Sequence, residues 1–199
     1  MRDLERALRS AEAPPGAVAD AVARLVRRVE TEVDVAYALV DSPLGELLVA
    51  VTPRGLVRVA YPTETEDQVL QELAGRISPR ILRAPGRTDE VRRELEQYFA
   101  GSRRRFEVSV DWALSQGFFR KVLRATARIP YGDVRTYTEM AARAGSPRAY
   151  RAAGNALHSN PVPIVVPCHR VVHADGGLAG YGGGLERKEF LLELEGTLE

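Results

Sequence analysis

Residues 138–158 read TEMAARAGSPRAYRAAGNALH, and this stretch decides how the second half of the chain folds. Thr138 to Ala144 predicts a short helix that Gly145 ends. Ser146 reads as an N-cap and Pro147 as the first helical residue of a second helix, Arg148 to His158. Helix, tight glycine-containing turn, helix is the helix-turn-helix pattern, a weak signal by itself because many helical hairpins share it. The second helix is unusual in composition: Ala149, Ala152, Ala153, Gly154 and Ala156 surround Arg151. Small side chains let a helix backbone come close to something. That something is either another packed helix or the groove of a nucleic acid with Arg151 reaching in.

Upstream, Phe118 to Ile129 predicts a helix ended by Pro130-Tyr131-Gly132. Between residues 33 and 112 the hydrophobic period is mostly two. Val35-Tyr37-Leu39 alternates, Ser42-Pro43-Leu44-Gly45 turns, Leu47 to Val51 returns, Pro53-Arg54-Gly55 turns again and Leu56 to Tyr61 makes a third strand. That is an antiparallel meander. Glu66 to Ile77 and Asp89 to Phe99 read as helices, and Phe106-Val108-Val110 as a further strand. Residues 3–11 and 16–29 read as two helices broken at Ala13-Pro14-Pro15-Gly16. The expectation is an α+β chain in three parts: a helical extension (1–32), a small sheet-bearing domain (33–112) and a mostly helical C-terminal domain (113–199).

The 199 residues, 45% hydrophobic and 28% charged, suit one or two globular domains with a real core. The longest apolar runs, Leu47–Val51 and Val162–Val166, are too short to span a bilayer, and the first residues do not read as a signal peptide. A cytoplasmic protein without a membrane partner is expected. The net charge of +1 hides an asymmetry. Phe118 to Arg170 carries nine basic and two acidic residues, so that segment is +7 and the remainder −6. This is either a footprint for a polyanion or a set of solvated helix faces. There is one cysteine, which excludes internal disulfides and a cysteine-rich zinc site.

That cysteine sits in NPVPIVVPCHRVV, residues 160–172. Three prolines and an apolar run pin Cys168 at a loop-to-strand junction. A lone cysteine is most often a small buried hydrophobe. A reactive one needs a base or a positive field, because the thiolate is the nucleophile. His169 is adjacent, although neighbours in an extended strand face opposite ways, so a bridging water would be needed. A base of this kind also wants a carboxylate on its other nitrogen, and Glu186, Glu189, Glu193 and Glu195 of the C-terminal helix are all candidates.

Pro-Cys-His-Arg-Val (167–171) resembles the active-site signature of the O6-alkylguanine-DNA alkyltransferases. The likeness extends, in order and spacing, through Ile129-Pro130-Tyr131-Gly132, Thr136-Tyr137, Ser146-Pro147, Arg151-Ala152, Ser159-Asn160-Pro161, Gly180-Tyr181-Gly182-Gly183-Gly184-Leu185, Lys188-Glu189-Phe190-Leu191-Leu192 and Glu195-Gly196. It is strong over about residues 115–197 and reaches, more weakly, back to about residue 34 through Ser42-Pro43-Leu44-Gly45 and Tyr98-Phe99-Ala100-Gly101. The resemblance implies a ribonuclease H-like N-terminal sheet domain and a C-terminal domain with a winged helix-turn-helix-like motif. It implies irreversible transfer of an alkyl group from O6-alkylguanine, and from O4-alkylthymine, in double-stranded DNA to Cys168, without metal or cofactor. By the same resemblance His169 takes the thiol proton through a water and Glu195 holds His169. Asn160 braces the loop, and Tyr137 crowds the flipped nucleotide's phosphate and donates a proton to guanine N3. Arg151 fills the gap left by the flipped base. Ala149, Tyr150, Ala152, Gly154 and Ser146 meet the minor groove. Pro163 and Tyr181 wall the base pocket, while backbone around Cys168, Val171 and Gly182 reads the guanine edge.

Tyr150 and Asn155 stand where that family usually has small residues, and Phe119-Arg120 where a Gln-led stretch is typical; these bear on affinity rather than chemistry. The extension 1–32 has no cysteines, unlike the family's zinc-bearing or phosphotriester-sensing additions. Three rivals remain. A lesion-flagging protein would lack the cysteine, a sequence-specific regulator would need a dimer seam, and a thiol hydrolase would need an oxyanion hole. A monomer is expected, with cooperative binding along DNA left open.

Overall fold

In the computed structural model the described residues are Asp20, 33–178 and 180–198. The two helices read from residues 3–11 and 16–29 therefore fall outside the described set, and the architecture is that of the unit Asp34–Glu199.

The meander forms as its alternation predicts. β1 (Val35–Val40) pairs antiparallel with β2 (Leu47–Thr52), which pairs antiparallel with β3 (Gly55–Ala60). The first turn closes through Gly45 N to Ser42 O at 3.0 Å and Ser42 Oγ to Gly45 O at 2.6 Å. At the second turn, a Cβ on Gly55 would sit 2.2 Å from Ser109 O, so no other residue fits there. After α1 (Glu66–Arg76) a short β4 (Ile81–Arg83) joins β1 in parallel, which makes the sheet mixed, in the order β3-β2-β1-β4. Both faces are covered. Val35, Tyr37, Leu48, Ala50 and Val57 pack on Val69 and Leu73 of α1. Ala36, Val40, Leu47, Val49 and Val59 belong to the same core as α2 (Asp89–Phe99) and the helices of the second half. Each buried Leu here is worth about 2–5 kcal/mol against Ala.

The predicted strand at Phe106-Val108-Val110 is not formed. Glu94 of α2 accepts hydrogen bonds from Glu107 N (2.8 Å) and Val108 N (3.3 Å), so these donors are satisfied by a side chain instead of a ladder; only Val110 bridges, to Leu56.

The second half contains α3 (Gly117–Thr126), β5 (Arg135–Thr136), α4 (Tyr137–Arg143), α5 (Tyr150–His158), β6 (Val171–Val172) and α6 (Leu185–Leu194). Thr136 and Glu139 form a capping box that starts α4 at Tyr137. α4 ends at Gly145 (φ +85°): Gly145 N bonds Ala142 O and Ser146 N bonds Ala141 O, both at 2.9 Å. Ser146 thus completes the end of the first helix rather than capping the second. Its carbonyl accepts Ala149 N in a turn, and α5 begins at Tyr150, two residues later than the sequence suggests. Pro147 is in this turn and not the first residue of a helix.

Candidate active site

The nucleophile candidate is held by a strained loop. Ile164, a β-branched residue, has φ +72°, a conformation such side chains rarely adopt and one that must be imposed by its surroundings. Asn160 imposes much of it, accepting from Val162 N (3.1 Å) and donating through Nδ2 to Val166 O (2.8 Å). The same Nδ2 lies 3.1 Å from Cys168 Sγ. From the sheet domain, Val59 N and the Arg58 guanidinium reach Pro161 O at 2.8 and 3.4 Å, so β3 holds this loop too.

Cys168, His169 and Arg170 form one 3-10 turn leading into β6, at the loop-to-strand junction read from sequence. All three are buried. Of the four candidate carboxylates, the one that meets His169 is Glu195. It lies just past the end of α6, not within it, and its Oε1 is 3.0 Å from His169 Nε2. Two partners of this carboxylate escaped sequence reasoning. Arg170 binds it twice at 2.8 Å while donating to Ile129 O at 2.6 Å, and Tyr98 donates to it at 2.6 Å. Burial acts to raise the Glu195 pKa, but the hydrogen bonds from His169 and Arg170 and the Arg170 charge outweigh it and hold the carboxyl down at about 2. Burial keeps His169 neutral by lowering its pKa, against the pull of Glu195. The charge of Glu195 is balanced by Arg170, so Nε2–H donates to Glu195 and Nδ1 keeps its lone pair. Among the described residues, Nδ1 is the one buried side-chain nitrogen or oxygen without a hydrogen-bond partner. A neutral imidazole oriented by a carboxylate, with a free basic nitrogen and a thiol on the preceding residue, has the makings of a proton acceptor.

Burial raises the Cys168 pKa, while hydrogen bonds from Asn160 and Tyr181 and the Lys188 charge oppose it. The resting group is therefore a thiol. Lys188 is itself buried and its pKa falls to about 8. Its ammonium donates to Val171 O at 2.6 Å and to Leu178 O.

Cys168, Asn160, Pro163, Tyr181 and Gly182 line one cavity of about 350 Å³, joined by Tyr61 and Arg58 of the sheet domain. Val171 is not among its lining residues; it is fully buried and its carbonyl is engaged by Lys188. Tyr137, Tyr150, Arg151 and Gly154 line a second, more open groove with His158 and His173. Ser146 and Ala149 border a shallow surface of their own, and Ala152 is half-buried on α5. The two readings of the small residues divide between positions. Ala153 and Ala156 are fully buried in the core. A Cβ on Gly154, by contrast, would meet only Tyr137 at 3.7 Å, so packing within the protein does not demand glycine there.

Residues 117–197 match the family model described as 6-O-methylguanine DNA methyltransferase, DNA binding domain. Residues 35–112 match the ribonuclease-like domain of the same family. The chain belongs to this family. A methylated-DNA–protein-cysteine methyltransferase of Methanosarcina acetivorans is 40% identical over 166 residues, covering 81% of this chain and 98% of that protein. One from Mycolicibacterium paratuberculosis is 42% identical over 159 residues, 80% and 91% of the two chains. The crystal structure of Mycobacterium tuberculosis OGT in complex with DNA superposes with a TM-score of 0.69 at 39% identity, covering 80% of this chain and 92% of that one. The small mixed sheet followed by a helical domain is the layout of 6-O-methylguanine methyltransferases. Among the described residues no helix is long and apolar enough to cross a membrane.

Proposed function

We propose that this member of the 6-O-methylguanine methyltransferase family repairs alkylated duplex DNA by one irreversible transfer of an alkyl group from guanine O6, or thymine O4, to Cys168 Sγ. The observation that carries the reading is a buried thiol followed directly in the chain by a neutral His169 whose Nε2 is held by Glu195 and whose Nδ1 has no hydrogen-bond partner among the described residues. The thiol proton passes through a bridging water to His169 Nδ1. The thiolate then attacks the alkyl carbon. The S–C bond forms, the C–O6 bond breaks and its electron pair passes into the purine, where Tyr137 donates a proton at N3. The thioether is inert and the protein is consumed.

The reactive carbon lies inside the base stack, so the nucleotide is flipped into the cavity lined by Pro163 and Tyr181, at a cost of a few kcal/mol. Arg151, exposed on the first turn of α5, fills the gap. The open backbone at Gly154, with Ala149, Ala152 and Ser146, approaches the minor groove, and Tyr150 stacks beside Arg151, whose guanidinium lies 5.8 Å from its ring. The protein acts as a monomer in the cytoplasm.

Intact mass after mixing with excess duplex bearing one O6-methylguanine tests this. A single methyl gain mapped to the Cys168 peptide, stopping at one per chain, is expected, with Cys168→Ala binding the lesion but gaining nothing. Tight binding by the wild type without mass gain would instead make the protein a lesion flag, and turnover beyond one per chain would end the suicide mechanism.

A further inference from the structure

The site contains a hydrogen-bonded tyrosine pair that joins the two domains. Tyr61 follows the last residue of β3, at the edge of the sheet, and is buried. Its hydroxyl is 2.8 Å from that of Tyr181, and the rings meet edge to face with centroids 6.3 Å apart. Both rings pack on Gly183: a Cβ there would lie 2.5 Å from Tyr61 Cε2 and 2.8 Å from Tyr181 Cε1. The Arg187 guanidinium closes the other side, 5.1 Å from the Tyr61 ring centroid, and is itself held by Gly183 O at 2.6 Å. Neither ring can turn away without breaking these contacts. Tyr181 and Cys168 line the same cavity, and the Tyr181 hydroxyl is among the groups that act to hold the Cys168 pKa down.

We propose that Tyr61 is a positioning residue for alkyl transfer, holding the Tyr181 hydroxyl so that it donates to the Cys168 thiolate. The inference rests on the proposed role of Cys168 as acceptor. A thiolate accepts only, so the chain has one direction: Tyr61 O–H to Tyr181 oxygen, Tyr181 O–H to sulfur. Burial pushes both phenols up, so both keep their protons and stay donors at any working pH. A donor that is itself hydrogen-bonded as an acceptor is the stronger donor, and a bond to a charged acceptor gains most. The sheet domain thereby stabilises the thiolate against its own desolvation. The other groups that bear on the sulfur are Asn160, Lys188 of α6, Tyr137 at the start of α4 and the adjacent His169. Among the described residues none of these hydrogen-bonds Tyr61, whose hydroxyl pairs with Tyr181, so its removal leaves them in place.

Tyr61→Phe removes one oxygen and keeps the ring packing. Because Cys168 is the only cysteine, its alkylation by iodoacetamide can be followed against pH by intact mass without any lesion substrate. The variant should react with its midpoint moved to higher pH and, at pH 7, about three- to tenfold more slowly than wild type. Tyr181→Phe should show at least as large a shift, and the double variant should match Tyr181→Phe alone, since the outer hydroxyl acts only through the inner one. Melting temperature, read on the same samples, should stay near the wild-type value. Coincident pH profiles for wild type and Tyr61→Phe would overturn the proposal, as would additive shifts in the double variant. The shift with iodoacetamide, seen without methyl transfer from DNA, would leave the relay standing and remove only the proposed repair reaction.

Discussion

The thiol side of the molecule and α5 are built on opposite principles. Around Cys168 the polar groups are buried or partly buried, and several are held more than once. Glu195 alone is met by Tyr98, His169 and Arg170, and Asn160 binds two backbone groups and the sulfur. Along α5 the outward residues are unrestrained. Arg151 and Tyr150 are exposed, with the Arg151 guanidinium 5.8 Å from the Tyr150 ring centroid, and a Cβ on Gly154 would meet only Tyr137, at an ordinary contact distance. Chemistry on a small atom needs reacting groups fixed to a fraction of an ångström, and packing supplies that. On the proposed reading, recognition of a polymer whose base is flipped needs reach and close approach, and these come from long exposed side chains and missing ones.

Glu195→Ala tests the first principle with the largest expected effect. It leaves Arg170 buried without its carboxylate, which costs about 3–5 kcal/mol. Urea denaturation should report that loss, and the methyl transfer rate of the folded fraction should fall as His169 loses its orienting acceptor. A variant as stable as wild type would mean that the charged cluster does not hold this region. The same group sets an acid limit. Glu195 is held at about 2 against an ordinary 4.5, so its contribution, on the order of 3 kcal/mol, is present above pH 4.5 and is lost as pH falls toward 2. His169, kept neutral by burial, adds a loss that begins below its ordinary value of 6.5, because the unfolded chain takes up that proton first. Glu195→Gln should flatten the lower part of this profile while leaving the upper part.

Arg151→Ala tests the second principle. Stability should change by less than about 0.5 kcal/mol, as for an exposed side chain, while transfer from duplex DNA falls about ten- to a hundredfold and reaction with free O6-alkylguanine base is unchanged. Equal losses on duplex and free base would place Arg151 in the chemistry and erase the contrast.

A pair of glycines gives the smallest and sharpest comparison. Gly154→Ala meets only an ordinary contact at 3.7 Å, so urea midpoints should hold or rise slightly, while gel-shift affinity for DNA drops. Gly183→Ala pushes a Cβ to 2.5 Å from Tyr61 and should destabilise by about 1–3 kcal/mol. Reversed outcomes would put the close approach inside the protein at Gly154 and outside it at Gly183.

Much of the fold is written in local pattern. The β1–β3 meander follows its period of two and its turn residues, and α1 to α5 fall within a few residues of their apolar stripes. The misses share a cause. Ser146 has good N-cap chemistry, but the preceding helix claims its N–H through Gly145. Val108 has strand chemistry, but Glu94 satisfies its backbone from another element. β4 is three residues long, too short to show a period.

By itself the sequence determined the candidate nucleophile, the single Cys168 between Pro167 and His169, and the small-residue helix that carries Arg151. The family resemblance added the loop brace, Asn160, which acts within eight residues of the sulfur. Spacing left four glutamates open to His169 and the family resemblance implied Glu195; tertiary structure brings that one to it from 26 positions away. It also decided that Tyr98, 97 positions from Glu195, completes that cluster, and that Tyr61 reaches Tyr181 across 120. Hydrogen bonds along a turn or helix are dictated by backbone geometry and can be read from residue order. A buried carboxylate takes whichever donors the packing of distant elements brings to it, and that depends on the core as a whole.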